Sequence, residues 1–251
     1  MTPSGTSPRA VLLDMGGVLL DMGNDLGMPT GRADWRGREV LVQAVRASGG
    51  RLALEDLEDL LFAPWRAEHA RRYETGQEAL WDPHLRRLRR ATGSRARNLT
   101  LLQAWFRPYG EQLEPLPGAL EVLRRLRAAG LRLALVSNVP LPGKLYRRVL
   151  RRHRLDTSFE AFFFSYDAAS RKPSPAMVRQ ALRALALSPA ESVMVGDRRR
   201  TDVAAGLAAG VRTIWLRGGE PEGPKPDVEI STLADLPDAL GLAASNRIRP
   251  K

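Results

Sequence analysis

The feature that most constrains this chain is an alternation of helical stretches and short apolar runs through its second half. A helical segment over 119–129 leads to an apolar run over 131–136, and a basic helix over about 142–153 leads to 162–164. A helix over 175–186 leads to 192–195, and one over 202–209 leads to 211–216. A loop at 218–226 precedes a short run at 228–230 and a last helix near Leu236. Runs this short and apolar suit strands buried on both faces, and their alternation with helices predicts a parallel sheet covered by helices on both sides. An earlier run over 10–13 fits the same sheet. It stops at Asp14, and Gly16-Gly17 follow, where the backbone can turn sharply and let an anion approach.

Between these parts the pattern is helical from residue 34 to about 112. Val40, Leu41, Ala44 and Val45 form one stripe, and Leu54, Leu57, Leu60 and Leu61 a second. Leu80, His84, Leu85 and Leu88 form a third, and Leu99, Leu102, Trp105 and Phe106 a fourth. Such spacing is that of amphipathic helices. Residues 22–33 are rich in turn formers, and Pro115 and Pro117-Gly118 break the helical pattern, so both ends of the helical insert read as crossings. The expected organisation is an α/β core over 9–21 and 114–242, a helical domain over 22–113, and flexible tails at 1–8 and 243–251. Trp35, Trp65, Trp81 and Trp105 are expected to pack inside the insert.

Composition removes several function classes. Zero cysteines exclude disulfides, thiolate metal sites and a cysteine nucleophile. No run approaches the roughly 18 apolar residues of a membrane helix, and residues 1–8 lack a secretory pattern, so a cytoplasmic protein without a membrane partner is expected. The net charge of +11 invites nucleic acid, but 35 of the 39 basic residues are Arg, spread along the whole chain. Arg86-Arg87 with Arg89-Arg90, and Arg147-Arg148 with Arg151-Arg152, fall at helical spacing without interleaved aromatics. They read as solvated faces, and no specific nucleic-acid partner is expected.

Four strand ends carry the chemistry. Asp14 ends the first, Ser137-Asn138 the second, Arg171-Lys172-Pro173 follows the third, and Gly196-Asp197 ends the fourth, with Asp202 five residues later. In an open parallel sheet these ends share one edge. Three carboxylates, a hydroxyl and an ammonium around one crevice suit Mg²⁺ and a phosphoryl group. A nucleoside-triphosphate P-loop is absent.

The order Asp14, Ser137, Lys172, Gly196-Asp197-x-x-x-x-Asp202 resembles the four motifs of the haloacid dehalogenase-like hydrolase superfamily. Pro115-Leu116-Pro117-Gly118, Arg171-Lys172-Pro173-x-Pro175 and the segment from Asp202 to Gly210 are similar to it as well. The insert resembles the helical C1 cap of its phosphatase members, and Tyr73-Glu74-Thr75-Gly76 resembles a cap segment of some sugar-phosphate phosphatases.

The resemblance implies a Rossmann-like core and an Mg²⁺-dependent phosphatase of a small phosphorylated metabolite. Asp14 would be the nucleophile, forming an aspartyl-phosphate. Asp14, the Gly16 carbonyl and Asp197 would hold Mg²⁺, with Asp202 a further ligand or orienter. Ser137 and the Asn138 main-chain N–H would bind a phosphoryl oxygen. Lys172 would pair with Asp14 and the phosphoryl group.

One position departs from the pattern. The phosphatase general acid usually stands two residues after the nucleophile, and here that residue is Gly16. General acid–base help is worth about 10²–10⁴-fold. The departure motivates an alternative: a catalytically weak domain that binds a phosphorylated ligand or partner. A metal-free 2-haloacid dehalogenase is a further alternative, disfavoured because both Asp197 and Asp202 are retained. Asp21 is the nearest remaining carboxylate; it reads first as a flap or turn residue, with substitution for the missing acid as the functional option. Arg198-Arg199-Arg200 reads first as a solvated loop, with an extra anion contact as the functional option. His69, His84 and His153 share no metal spacing and are expected to be packing or surface residues.

Overall fold

The computed structural model describes residues 7–23, 31–73 and 75–242. The expectations for the tails, apart from residues 7 and 8, and those for most of the 22–33 loop and for Glu74 lie outside the described residues.

Strand β1 (Ala10–Leu13) leads to a two-residue strand, β2 (Leu20–Asp21). The insert follows: α1 (Gly31–Ala47), a π-helical turn (Glu58–Phe62) running into α2 (Ala63–Tyr73), then α3 (Asp82–Thr92) and α4 (Asn98–Gly110). The chain returns through β3 (Glu114–Pro115), which pairs antiparallel with β2 through Leu20 opposite Pro115 and Asp21 opposite Glu114. Thus the two crossings expected at the ends of the insert lie side by side in one small ribbon.

The remaining elements alternate as the sequence pattern requires. They are α5 (Ala119–Ala128), β4 (Arg132–Ser137), α6 (Gly143–Arg152), β5 (Ala161–Phe164), α7 (Ser165–Ala168), α8 (Ala176–Ala184), β6 (Ser192–Gly196), α9 (Ala204–Ala208), β7 (Arg212–Leu216), β8 (Val228–Ile230) and α10 (Leu236–Ala239). Six strands form one sheet in the order β5-β4-β1-β6-β7-β8, every pair parallel. The chain builds outward from β1 to one edge, then crosses to the other side of β1. This reversal of strand order opens a crevice at the carboxyl ends of the central strands.

The period-two geometry of β1 explains its uniform apolarity. Val11 and Leu13 face one apolar cluster with Leu133, Leu135, Val193 and Val195. Ala10 and Leu12 face the other, with Ala134, Val136 and Met194. Helices α5 and α6 cover the first face; α8 and residues of α9 cover the second. All four β1 side chains are fully buried, so truncating Leu12 to Ala would cost about 2–5 kcal/mol.

The first cluster continues into the insert, through Leu41, Val45, Leu57, Leu61, Leu85, Leu88 and Leu101. Trp65 and Trp81 stack with ring centres 4.3 Å apart, and Trp81 Nε1 donates to the Pro140 carbonyl at 2.8 Å, tying the insert to the sheet. Trp35 differs from expectation: it is 56% exposed on α1, and its Asp34 neighbour instead accepts from buried Trp105. No described helix is long and apolar enough to cross a membrane.

The helical pattern also fails between α2 and α3. There the chain comes down to the sheet domain, Gln77 bridging to Ser170 and the Arg171 N–H donating to the Gly76 carbonyl at 2.9 Å. These residues carry no apolar stripe, and the Gly76 carbonyl and Glu78 N–H find partners in the loop before α8 instead. The helix expected from residue 202 is preceded by a π-helical turn, Arg199–Val203.

Candidate active site

The crevice at the carboxyl ends of β1, β4 and β6 opens into a cavity of about 550 Å³. Asp14, Gly16, Ser137, Asn138, Lys172, Asp197 and Asp202, all expected from the sequence, line it together. Asp14 follows β1 directly, and its N–H donates to the Val195 carbonyl at 3.0 Å, so the ladder with β6 fixes where its carboxylate stands.

Lys172 is the hub. It is 1% exposed, and its Nζ donates to Asp14 Oδ1 at 2.8 Å and to the Val136 carbonyl at 2.7 Å, with Asp202 Oδ1 at 2.6 Å. An ammonium has three protons, and each has an acceptor. Burial alone would lower the Lys172 pKa, but the Asp14 and Asp202 charges outweigh it and hold the ammonium above its ordinary value. Within the protein Lys172 therefore works as a cationic strut between two carboxylates.

Asp14, Asp197 and Asp202 each offer a carboxylate oxygen, and these oxygens lie within 4.8 Å of one another. Burial, then Asp202 and Asp14, push Asp197 up to about 8. Asp202 is also raised, by burial first, although Lys172 opposes the shift. Its Oδ2 accepts from the Arg198 N–H at 2.9 Å, so both Asp202 oxygens already have protein partners.

Asp197 is different: its Oδ1 is buried with no hydrogen-bond partner. Around its other oxygen the loops close tightly. A Cβ on Gly17 would stand 2.2 Å from Asp197 Oδ2, and one on Gly219 2.6 Å from it. Gly17 also holds φ at +69°, which L side chains rarely adopt. A buried orphan oxygen among three hard oxygen donors, with one ammonium for counter-charge, fits a small divalent cation. Asp14 and Asp197 have the open oxygens for it, the Gly16 carbonyl is the neighbouring main-chain donor, and Asp202 is better placed to orient.

Ser137 is buried at the end of β4 and lines the cavity, its hydroxyl without a side-chain partner among the described residues. The Asn138 side chain is already engaged, holding the main chain of Lys172. At Gly16 the backbone does not demand glycine; an added Cβ would meet only the Met22 side chain, at 2.9 Å from Cγ. Asp21 reaches the cavity wall but accepts the Gly23 N–H at 2.9 Å, as a turn residue does. Of the arginine run, Arg198 lines the cavity, Arg199 lies over the Trp215 ring, and Arg200 is exposed.

The insert contributes a wall in which the sequence reading had named Tyr73 but missed the contact between His69 and Arg171. His69 and Tyr73 of α2 line the same cavity as Arg171, and His69 is neither a plain packing residue nor a plain surface one. Arg171 Nη1 donates to His69 Nε2 at 3.0 Å and lies 3.5 Å from Glu78 Oε1, and its guanidinium covers the Tyr73 ring at 4.3 Å. Burial, then the Arg171 charge, lowers His69 to about 4, so the ring is neutral and can accept. Glu78 is buried and accepts from the Ser165 hydroxyl at 2.6 Å. Its pKa is raised by burial, against the pull of Arg171. The available signal was the lack of a stripe at 75–79, together with an arginine adjoining Lys172.

Comparison with known proteins gives a consistent picture. Residues 8–210 match the family described as haloacid dehalogenase-like hydrolase. The chain is 32% identical to the phosphoserine phosphatase of Thermus thermophilus, over 91% of this chain and 97% of that protein. It is 26% identical to the phosphoglycolate phosphatase of Pseudomonas putida, over 91% of this chain and 76% of that one. Among solved structures, the putative hydrolase YfnB of Bacillus subtilis, bound to magnesium, superposes with a TM-score of 0.60 at 22% identity. That match covers 94% of this chain and 99% of the other.

Proposed function

The chain belongs to the haloacid dehalogenase-like hydrolase family, and from that premise we propose that it is a Mg²⁺-dependent phosphomonoesterase of a small phosphorylated metabolite. The observation that carries this reading is the trio of converging carboxylates, Asp14, Asp197 and Asp202, beside one saturated lysine in a crevice at the strand ends. A metal-free dehalogenation has no use for three buried carboxylates in such proximity. Relatives with different named substrates support the reaction class without selecting a substrate. In this reading residues 9–21 and 114–242 form the core domain and 22–113 the cap, a division supported by the paired strands β2 and β3 at the junction.

Asp14 is the nucleophile. Lys172 keeps its carboxylate oriented, and the second Asp14 oxygen attacks phosphorus while the bond to the leaving oxygen breaks. The leaving oxygen takes its proton from water, because residue 16 has no side chain to supply one. Water then attacks the phosphoryl-aspartate, releasing phosphate and restoring Asp14. Ser137 and the Asn138 N–H bind phosphoryl oxygens. The cation, when bound by Asp14, the Gly16 carbonyl and Asp197, supplies charge neutralisation for the phosphoryl group. Asp202 holds Lys172 in place.

The missing side chain at Gly16 favours one second reading, a domain that retains a phosphorylated ligand with little turnover. Hydrolysis of p-nitrophenyl phosphate, with and without Mg²⁺ and beside Asp14→Asn, separates the two. Phosphate release that needs both Mg²⁺ and Asp14 supports the enzyme; release indifferent to either overturns it.

A further inference from the structure

Arg171 is a buried cation with work left undone. It is 8% exposed, yet its Nε is sealed from solvent with no hydrogen-bond partner. Its contacts, to His69 and Glu78, use Nη1. Its face is covered by Tyr73 and its main-chain N–H is tied to Gly76. The Nε/Nη2 edge therefore has no acceptor among the described residues, although an unmade hydrogen bond of a buried charged group costs upward of about 1–3 kcal/mol. Three neighbours hold this side chain in the wall of the cavity that also holds Asp14 and Lys172.

We infer that the Nε/Nη2 edge of Arg171 is a second anion subsite, which takes a carboxylate carried by the substrate on the same molecule as its phosphoryl group. This rests on the phosphatase reading and sharpens it to phosphorylated carboxylic acids. The choice of carboxylate follows from shape. A guanidinium edge presents two parallel donors in one plane, which a planar carboxylate matches with both oxygens. Tyr73 blocks one face of the guanidinium, which favours an in-plane approach. Lys172 cannot serve this second group, since its three donors are taken by Asp14, Asp202 and Val136. Arg171 lines the same cavity as Ser137 and Asn138, so both anion contacts would lie within one small molecule's reach.

Arg171 would then read substrate through the cap as well. His69 and Tyr73 come from α2, and Glu78 from the segment after it, while Arg171 itself belongs to the loop before α8. A substrate carboxylate would complete a cluster that already spans insert and sheet domain, and only a ligand with both anionic groups would engage both halves.

The test compares phosphomonoesters that differ by one carboxylate, in Mg²⁺ at fixed pH: 2-phosphoglycolate against ethyl phosphate, and O-phosphoserine against phosphoethanolamine. A sugar bisphosphate offers a second phosphate instead. The wild type is expected to favour the acid in at least one pair by about ten- to a hundredfold in kcat/KM, the worth of a charge-assisted hydrogen-bonded pair. Arg171→Met should bring that ratio close to one, and Arg171→Lys, which keeps charge without the fork, should fall between. The ratio is read within each protein, so a general loss of activity does not obscure it.

Calorimetry with 3-phosphonopropionate against propylphosphonate reads the same preference without turnover. It answers even if no substrate is hydrolysed, which would be a failure of the phosphatase reading alone. Wild-type discrimination below about threefold in binding, a preference that survives Arg171→Met, or a stronger preference for the bisphosphate would each overturn the carboxylate subsite.

Discussion

Asn138 grips Lys172 by both of its main-chain groups: Asn138 Nδ2 donates to the Lys172 carbonyl at 2.9 Å, and the Lys172 N–H donates to Asn138 Oδ1 at 2.8 Å. The residue next to Ser137 thus positions the main chain of the residue whose buried ammonium holds Asp14 and Asp202 together. Removing the amide should lower kcat more than it raises KM, because the nucleophile loses its strut while the substrate keeps its own contacts. Asn138→Ala is expected to lose about tenfold or more in kcat, in line with one or two neutral hydrogen bonds at about 1 kcal/mol each. Asn138→Asp, which can accept but not donate, should lose less. Equal kcat in all three proteins would refute the positioning role.

The glycine at 16 can be tested by addition. The Cβ of an aspartate there meets only the Met22 side chain, and its carboxyl would supply the missing proton donor. Gly16→Asp should raise kcat on alkyl phosphates, whose leaving oxygen needs a proton, by about tenfold or more. On p-nitrophenyl phosphate, whose leaving group departs as a stable anion, little should change. A uniform rise or fall on both substrates would speak against an absent acid.

Gly17 should tolerate no side chain. Its φ of +69° and the 2.2 Å from a built Cβ to Asp197 Oδ2 mean that Gly17→Ala both strains the turn and displaces a carboxylate. A loss of about 1–3 kcal/mol in stability is expected, together with a weaker response to Mg²⁺. Urea unfolding with and without the metal measures both; unchanged midpoints would contradict the crowding around Asp197.

Asp197 sets a pH signature with a definite sign. Its carboxyl ordinarily titrates at 3.8 and in the folded protein at about 8, so between those values the folded metal-free state binds the extra proton. Stability from this group is present below pH 4 and is lost as pH rises toward 8. Mg²⁺ competes with that proton, so the stabilisation it confers should grow across the same window. Thermal unfolding from pH 5 to 9, with and without Mg²⁺, should show the divergence, and Asp197→Asn should remove it. Parallel curves would defeat the assignment.

The core was legible because its signals are local. A strand that must be apolar on both faces and ends on a polar residue announces itself, as 10–14, 132–138 and 192–197 did. Asp14, Ser137, Lys172, Asp197 and Asp202 therefore met in one cavity as expected. Two things escaped. The Asn138 side chain contacts a residue 34 positions away, and Arg171 meets His69 across 102. Neither has a period or a short motif to betray it. The segment 75–79 was absorbed into a helical pattern because its neighbours are helical, whereas its Gly76 carbonyl and Glu78 N–H are satisfied by the loop before α8. Trp35 was expected inside because tryptophans usually are; position on α1, not residue type, put it outside.

The ribbon of β2 and β3 has a consequence for how such a chain can vary. By pairing Leu20 with Pro115 and Asp21 with Glu114, it brings the two ends of a long excursion together in one ribbon separate from the six-stranded sheet. Closing a loop costs entropy only as the logarithm of its length, about 0.6 kcal/mol for each doubling. The sheet is therefore nearly indifferent to how much polypeptide leaves through that gate and returns. What lies above the crevice can lengthen, shorten or change its side chains while the strand ends below keep their register.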